Sequence, residues 1–157
     1  MPIRQKDRLK ELFKRIDTGK LPFKLAEKDL HSLGLDIAED LKATLLDLNK
    51  NDSLKWCFST VKKAKIFLII YQANEMSESI YKEIIAKKLP EYSYKTIATI
   101  VDEGISKGFY IPLDPYDKSI SDKKIKNLRP SIEVLTSFYN WNFSRVSAMT
   151  NIIKKFK

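Results

Sequence analysis

The sequence predicts a mainly α-helical protein with one small two-stranded β-sheet. Apolar residues recur three and four positions apart through several long segments, which is the period of an α-helix. The 157 residues include only four glycines, too few for a fold rich in β-turns. A single stretch, Phe109 to Leu128, reads as a strand, a polar loop and a returning strand.

The other predicted elements are arranged around the stretch from Tyr92 to Ser131. The first part of this stretch predicts an amphipathic helix. Ser93 is a good N-cap residue, and Gly108 supplies the left-handed conformation that ends many helices. Apolar residues at helical spacing predict the buried face: Ile97, Ile100, Val101 and Ile105. Polar residues fall on the opposite face: Lys95, Thr96, Thr99 and Glu103.

Two strands joined by a basic loop are expected directly after this helix. Phe109 to Leu113 predicts the first strand, and Asp114-Pro115 opens a turn. Asp122 to Leu128 is able to return as the partner strand. An exposed helix followed by a two-stranded basic loop is the arrangement with which winged helix-turn-helix proteins contact DNA.

A second helix is predicted immediately upstream of the exposed one. Ser77 is a good N-cap for a helix from Glu78 to Leu89, with isoleucines facing inward. The turn Pro90-Glu91-Tyr92 is short enough to hold two helices at a steep angle. The predicted order of elements is therefore helix, helix, turn, helix, strand, strand.

This stretch resembles MarR-type winged-helix transcriptional regulators. The matching residues are Ser93-x-x-Thr96-Ile97, Val101-Asp102, Lys107-Gly108-Phe109, and Asp122-Lys123-Lys124 ahead of Pro130-Ser131. Lysines replace the two arginines usual in the family, the wing is longer, and Gly104 stands where a leucine is usual. The resemblance covers about residues 61–131, and it implies that terminal helices of two subunits entwine into a dimer.

The resemblance and the pattern together predict a winged helix-turn-helix domain with helices on both sides. We expect an N-terminal helical extension over residues 1–60, the DNA-binding domain over 61–131, and a C-terminal dimerisation helix over 132–157. The charge agrees with a polyanionic partner, because residues 61–157 carry a net charge of +7 out of +9 for the chain. The alternative is a surface that is simply rich in lysine.

Candidate DNA-binding residues follow from this arrangement. Basic side chains expected to neutralise phosphates are Lys95, Lys118, Lys123, Lys124 and Lys126. Base reading is expected from the first turns of the exposed helix, at Ser93, Tyr94, Lys95, Thr96 and Thr99. The sequence does not decide whether Tyr94 stacks, contacts a phosphate or packs against the protein. Asp102 is expected to orient a neighbour or hold the wing, since phosphate repels a bare carboxylate.

The first 60 residues predict two helices separated by an irregular segment. Residues 1–16 form a basic amphipathic pattern, which fits a helix docked on protein, on a membrane surface or on the DNA backbone. Residues 17–35 contain Gly19, Pro22 and Gly34 and are expected to be less regular. Asp36 then predicts an N-cap for a helix that ends near Asn49.

Residues 54–74 predict one helix or two abutting helices. Within them, the apolar run Ile66 to Tyr71 indicates a segment buried on every side. A buried strand is the competing interpretation, because short apolar runs do not distinguish the two. The length of the segment and its lack of breakers favour a helix.

The last 27 residues predict one long helix with a heptad pattern. Its seam alternates spacings of four and three: Leu135, Tyr139, Asn142, Val146, Met149, Ile153 and Phe156. Such a seam predicts a homodimer, in which Asn142 sets the register of paired helices. The alternative is a helix packed on its own domain, with Phe138, Trp141 and Ile152 widening the stripe.

No catalytic, metal or cofactor site is predicted. The chain has one cysteine and one histidine, so a Cys/His metal cage or a nucleophilic dyad has no basis. No apolar run approaches a membrane span, and we expect a cytoplasmic protein without a membrane partner. Nothing in the sequence indicates a small-molecule effector, an operator or a set of regulated genes.

The most specific prediction is thus a sequence-specific, double-stranded DNA-binding transcriptional regulator that is not an enzyme. The alternative is a winged-helix module that binds another protein and has no role on DNA. An RNA-binding winged helix ranks third, because only Tyr92 and Tyr94 lie where splayed bases would stack.

Overall fold

The computed structural model describes residues 20–22, 24–114 and 126–155. Within these ranges the chain forms six α-helices and two β-strands. The helices are α1 (Glu27–Asn49), α2 (Asp52–Cys57), α3 (Val61–Glu75), α4 (Lys82–Lys88), α5 (Tyr94–Ser106) and α6 (Ile132–Lys154), and the strands are β1 (Tyr110–Leu113) and β2 (Asn127–Pro130). The predicted class, mainly helical with one small antiparallel sheet, is confirmed. The amphipathic segment at residues 1–16 lies outside the described residues.

The chain divides into two compact units. Thr44–Arg145 forms one unit, and Met1–Ala43 with Val146–Lys157 forms the other. The first unit is larger than the segment 61–131 in which we expected the winged helix. The reason is that α2 contributes Leu54 and the start of α6 contributes Val134 to the same buried cluster.

The core of the Thr44–Arg145 unit is built mainly on α3 and α5. Ile66, Phe67 and Ile70 of α3 are fully buried, as are Ile97 and Val101 of α5. The apolar run on α3 is therefore helical, and the competing strand interpretation is wrong. Burial is not complete around the helix, however, because Leu68 remains 39% exposed.

The two strands pair antiparallel, with Tyr110 opposite Pro130 and Leu113 opposite Asn127. The segment between α3 and α4 is fastened to β2. Leu128 donates its backbone N–H to the Ile80 carbonyl at 2.8 Å, and the Ile80 N–H donates to the buried Asn127 Oδ1 at 2.9 Å. Helix α4 is thereby tied to the sheet from which the wing extends.

Two predicted helix starts are wrong. Helix α1 runs unbroken from Glu27 through Gly34 and Asp36, so Asp36 is not its N-cap. A glycine inside a helix costs about 0.5–1 kcal/mol relative to alanine, which does not suffice to end it. Ser77 does not cap α4 either, because it has a left-handed φ of 54° and closes the end of α3. There the Glu78 N–H donates to the Ala73 carbonyl at 2.9 Å.

The boundaries of α5 follow the sequence closely. The Ser93 hydroxyl accepts a hydrogen bond from the Thr96 N–H at 3.1 Å and caps the helix. At the other end Gly108 has a φ of 79° and the Phe109 N–H donates to the Gly104 carbonyl at 2.9 Å. This left-handed glycine turns the chain directly into β1.

The second unit contains the first part of α1 and the last part of α6. Lys155 Nζ of α6 forms an ion pair with Asp36 Oδ2 of α1 at 3.1 Å. Ile152 of α6 is buried, whereas Leu35 and Leu41 of α1 are exposed.

Candidate nucleic-acid interface

The turn that joins α4 to α5 is anchored on α3. Lys65 Nζ forms an ion pair with Glu91 Oε1 at 3.0 Å. The ammonium groups of Lys62 and Lys65 lie 5.5 and 5.6 Å from the centre of the Tyr92 ring. Cation–π contacts and an ion pair at one turn restrict its orientation, and with it the angle at which α5 begins. Tyr92 therefore has a packing role on the protein.

Lys95, Thr99 and Asp102 form the outermost line of α5. They are spaced four and three residues apart, so they share one face of the helix, and all three are exposed. Ile97 and Val101 hold the opposite face in the core. Thr96, which we expected on the outer face, is only partly exposed and lies to one side of this line.

Hydrogen bonds within the helix occupy the hydroxyl groups at its start. Thr99 Oγ1 donates to the Lys95 carbonyl at 2.8 Å. Ser93 Oγ and Thr96 Oγ1 lie 2.9 Å apart and share one hydrogen bond. The main role of Ser93 is thus to cap the helix, and its value for base reading is lower than the sequence suggested.

The carboxylate on the outer line is neutralised by a lysine of the preceding helix. Asp102 Oδ1 lies 2.6 Å from Lys82 Nζ. This pairing meets the expectation that Asp102 orients a neighbour. The sequence did not point to Lys82, because twenty residues separate it from Asp102 and the ion pair between them depends on how α4 crosses α5. Two exposed lysines, Lys87 and Lys88, occupy the last turn of α4 and were not among the predicted site residues.

Tyr94 stands at the edge of the same surface. Its ring is 48% exposed, and its hydroxyl lies 3.4 Å from Glu83 Oε1 on α4. Partial burial and the nearby Glu83 charge raise the pKa of Tyr94, so it stays protonated. The contact with Glu83 places Tyr94 against α4, and nearly half of the side chain stays exposed.

Glu103 is exposed, as the sequence pattern predicts, but its carboxylate is engaged by residues of α2 and α3. Its Oε1 accepts a hydrogen bond from the indole Nε1 of Trp56 at 2.8 Å, and Lys63 Nζ lies 4.0 Å away. The same lysine lies 4.7 Å from the centre of the Trp56 ring. Glu103 therefore links α5 to α2 and α3.

Only the base of the wing is described. Lys126 Nζ is paired with Asp114 Oδ1 at 2.8 Å across the mouth of the hairpin. The hydrogen bond and charge of Lys126 lower the pKa of Asp114. Lys118, Lys123 and Lys124 lie outside the described residues, so their predicted contacts with phosphate stay predictions.

Helix α6 exposes several apolar side chains along its length. Of the predicted seam, Tyr139, Val146 and Ile153 are exposed, whereas Leu135, Asn142 and Met149 are partly buried. Phe156 falls beyond the last described residue. Asn142 Nδ2 donates to the Phe138 carbonyl at 2.8 Å within its own helix. Phe143, which we did not assign to the seam, is the most exposed aromatic residue of this helix at 75%.

The described part of the chain contains one cysteine and an open cleft besides the surface around α5. Burial raises the pKa of the Cys57 thiol to about 12, so this cysteine is not a nucleophile at neutral pH. Across residues 20–22, 24–114 and 126–155, no group of His, Cys, Asp and Glu side chains is placed to hold a metal ion. An open cleft of about 660 Å³ is lined by aromatic and charged side chains, among them Trp56, Phe109, Lys107 and Glu133.

Among the described helices, none has the length and apolar character needed to cross a membrane. Comparisons with protein-family models, curated proteins and solved structures find no match to this chain. An assignment of function therefore has to rest on the element order and on the exposed start of α5.

Proposed function

We propose that the protein is a transcriptional regulator that binds double-stranded DNA sequence-specifically as a homodimer. One observation carries the proposal. The first turns of α5 expose Lys95 and Thr99, while the opposite face of the same helix is fixed in the core by Ile97 and Val101. Helix-turn-helix proteins insert this part of the second helix into the major groove.

The charges around α5 support a polyanionic partner. Helix α4 contributes Lys82, Lys87 and Lys88, and α5 contributes Lys95. Lys82 cancels the charge of Asp102, so the outer line of α5 does not repel phosphate. Each lysine that contacts a phosphate releases counterions and steepens the dependence of log K on log salt by about 0.9.

The homodimer is supported by the apolar side chains along α6. Tyr139, Phe143, Val146 and Ile153 follow a spacing of four, three and seven residues and are all exposed. A long helix with such a line is stabilised by a second helix packed against it. A two-fold dimer would present two copies of α5 to half-sites about one helical turn of DNA apart.

Selection from a random duplex library, followed by binding measurements at several salt concentrations, tests the proposal. We expect a two-fold related motif to be enriched and Lys95→Ala to weaken its binding. Lys50→Ala is the charge-matched control, since Lys50 is highly exposed and pairs with Asp47, far in sequence from α5. A library without an enriched motif, together with binding that salt does not affect, would rule out the DNA role.

The second candidate function is a protein-interaction module without DNA binding. One observation favours it: α1 exposes four leucines, Leu35, Leu41, Leu45 and Leu46. Exposed apolar side chains concentrated on one element are typical of protein-binding surfaces. A partner retained in high salt, with no duplex enriched, would support this candidate.

A further inference from the structure

The outer line of α5 offers few groups that read bases by hydrogen bonding. From Ser93 to Asp102 the sequence contains no Arg, Asn or Gln, the side chains that make bidentate contacts with guanine and adenine. Lys95 is the one long donor on this line. The Asp102 carboxylate, which could accept from cytosine, is engaged by Lys82 at 2.6 Å.

Thr99 is turned so that its methyl group is the part it presents outward. Its hydroxyl proton is used in the 2.8 Å bond to the Lys95 carbonyl, one turn back along the helix. A threonine Cβ carries only a hydroxyl, a methyl group and a hydrogen. With its proton used in this bond, the hydroxyl of the exposed Thr99 can only accept a hydrogen bond from a partner, and the Cγ2 methyl is its apolar contact group.

The major groove contains one apolar group that matches this surface, the C5-methyl group of thymine. We propose that Thr99 is a specificity-determining residue that recognises the C5-methyl group of a thymine in each half-site. The inference rests on the proposed function and adds to it the chemical class of base that is read. Beside this contact, Lys95 supplies a positive charge and one donor group, its ammonium.

The experiment begins with the full-length protein and the duplex enriched from the random library. Each thymine of the motif is replaced in turn by deoxyuridine, which removes only the methyl group. We expect affinity to fall about fourfold at one position of a half-site, the factor that corresponds to ~0.8 kcal/mol for one buried carbon group. Replacement at the other positions is expected to have little effect.

Thr99→Ser then separates the methyl contact from changes in DNA stacking. The serine keeps the hydroxyl and lacks the methyl, so this variant is expected to bind the thymine and deoxyuridine duplexes equally well. Thr99→Val keeps a methyl group at this position and is expected to retain the thymine preference. Thr136→Ser on α6 is the matched control, because Thr136 is also exposed and its hydroxyl also donates to the carbonyl four residues earlier, at 2.8 Å.

The two levels of the inference fail in different ways. If no duplex is enriched, the proposed function is wrong. If a duplex is enriched but deoxyuridine is neutral at every thymine, the methyl-reading role of Thr99 is overturned while DNA binding stands. The role is also overturned if Thr99→Ser keeps the full fourfold preference for thymine over deoxyuridine.

Discussion

Gly104 on α5 and Tyr110 on β1 pack so closely that the position leaves no room for a side chain. A Cβ atom at residue 104 would lie 2.6 Å from Cε2 of the Tyr110 ring and 3.1 Å from Cη2 of Trp56. The Tyr110 ring is fully buried and cannot swing away cheaply. The space that a side chain at residue 104 would need is thus filled by the Tyr110 ring.

Gly104→Ala is expected to destabilise the Thr44–Arg145 unit by about 1–3 kcal/mol, the usual cost of an overpacked core. Gly34→Ala is the matched control, since Gly34 also lies inside a helix but has no atom within 4 Å of the added Cβ. That variant should gain up to ~1 kcal/mol from helix propensity. Urea unfolding of both variants measures the difference, and equal effects would contradict the close packing.

Lys82→Ala is expected to weaken duplex binding severalfold. The variant loses one positive charge and leaves the Asp102 carboxylate unpaired on the outer line of α5, where it repels phosphate. Stability should change by no more than ~1 kcal/mol, because the pair is solvent-exposed. Binding titrations check the first effect and thermal melting the second. Adding Asp102→Asn should restore part of the lost affinity, and no restoration would argue against the repulsion.

A Lys123→Ala, Lys124→Ala variant is expected to bind all duplexes more weakly by a similar factor. If both lysines contact phosphate, the slope of log K against log salt should decrease by up to ~2. The preferred motif should stay unchanged, since phosphate contacts carry no direct sequence information. An unchanged slope would place this loop away from DNA.

Recognition and stability are expected to separate on α5. Lys95→Ala with Thr99→Ala should keep the melting temperature, because surface substitutions change stability by only ~0.5 kcal/mol. The same variant should lose its preference for the selected site, including the roughly fourfold preference for thymine over deoxyuridine that Thr99 is expected to supply. Ile97→Ala is the contrasting variant. It empties a fully buried position, at a cost of ~2–5 kcal/mol, and should unfold much more easily.

Phe143→Glu is expected to convert the homodimer into a monomer. Burying a phenylalanine contributes ~1.5–3 kcal/mol, and a glutamate in the same contact would also carry an unpaired charge. Ser144→Glu, at the neighbouring exposed position, is the control and should remain dimeric. Sedimentation at micromolar concentration distinguishes the forms. An unmodified protein that sediments only as an 18.3 kDa species would contradict the dimer.

Local signals in the sequence predicted most of the fold around α5. The Ser93 cap and the Gly108 turn depend on neighbouring residues only, and both are confirmed. Ser77 was misassigned because it takes the left-handed conformation that closes α3, a position that glycine favours and that a serine in the sequence does not indicate. Asp36 was misassigned because helix α1 continues through Gly34, whose cost inside a helix does not suffice to end it.

The candidate site was less predictable than the fold. Helical spacing placed Lys95 and Thr99 on the exposed face, but it also placed Glu103 there, and only the packing of Trp56 shows where Glu103 points. The sequence did not reveal the role of Lys82, because its ion pair with Asp102 depends on how α4 crosses α5. Contacts between residues distant in the chain determine which polar side chains already have a partner within the protein.

The protein has one cysteine and two tryptophans, and all three residues lie in the Thr44–Arg145 unit. Cys57 is fully buried, with its thiol protonated at neutral pH, so alkylating reagents should reach it only when this unit opens. Tryptophan emission and cysteine labelling will therefore report on the opening of the same half of the protein. Structural changes confined to residues 24–43 and 146–155 should alter neither the tryptophan emission nor the labelling of Cys57. An attached dye or amide hydrogen exchange is needed to follow them.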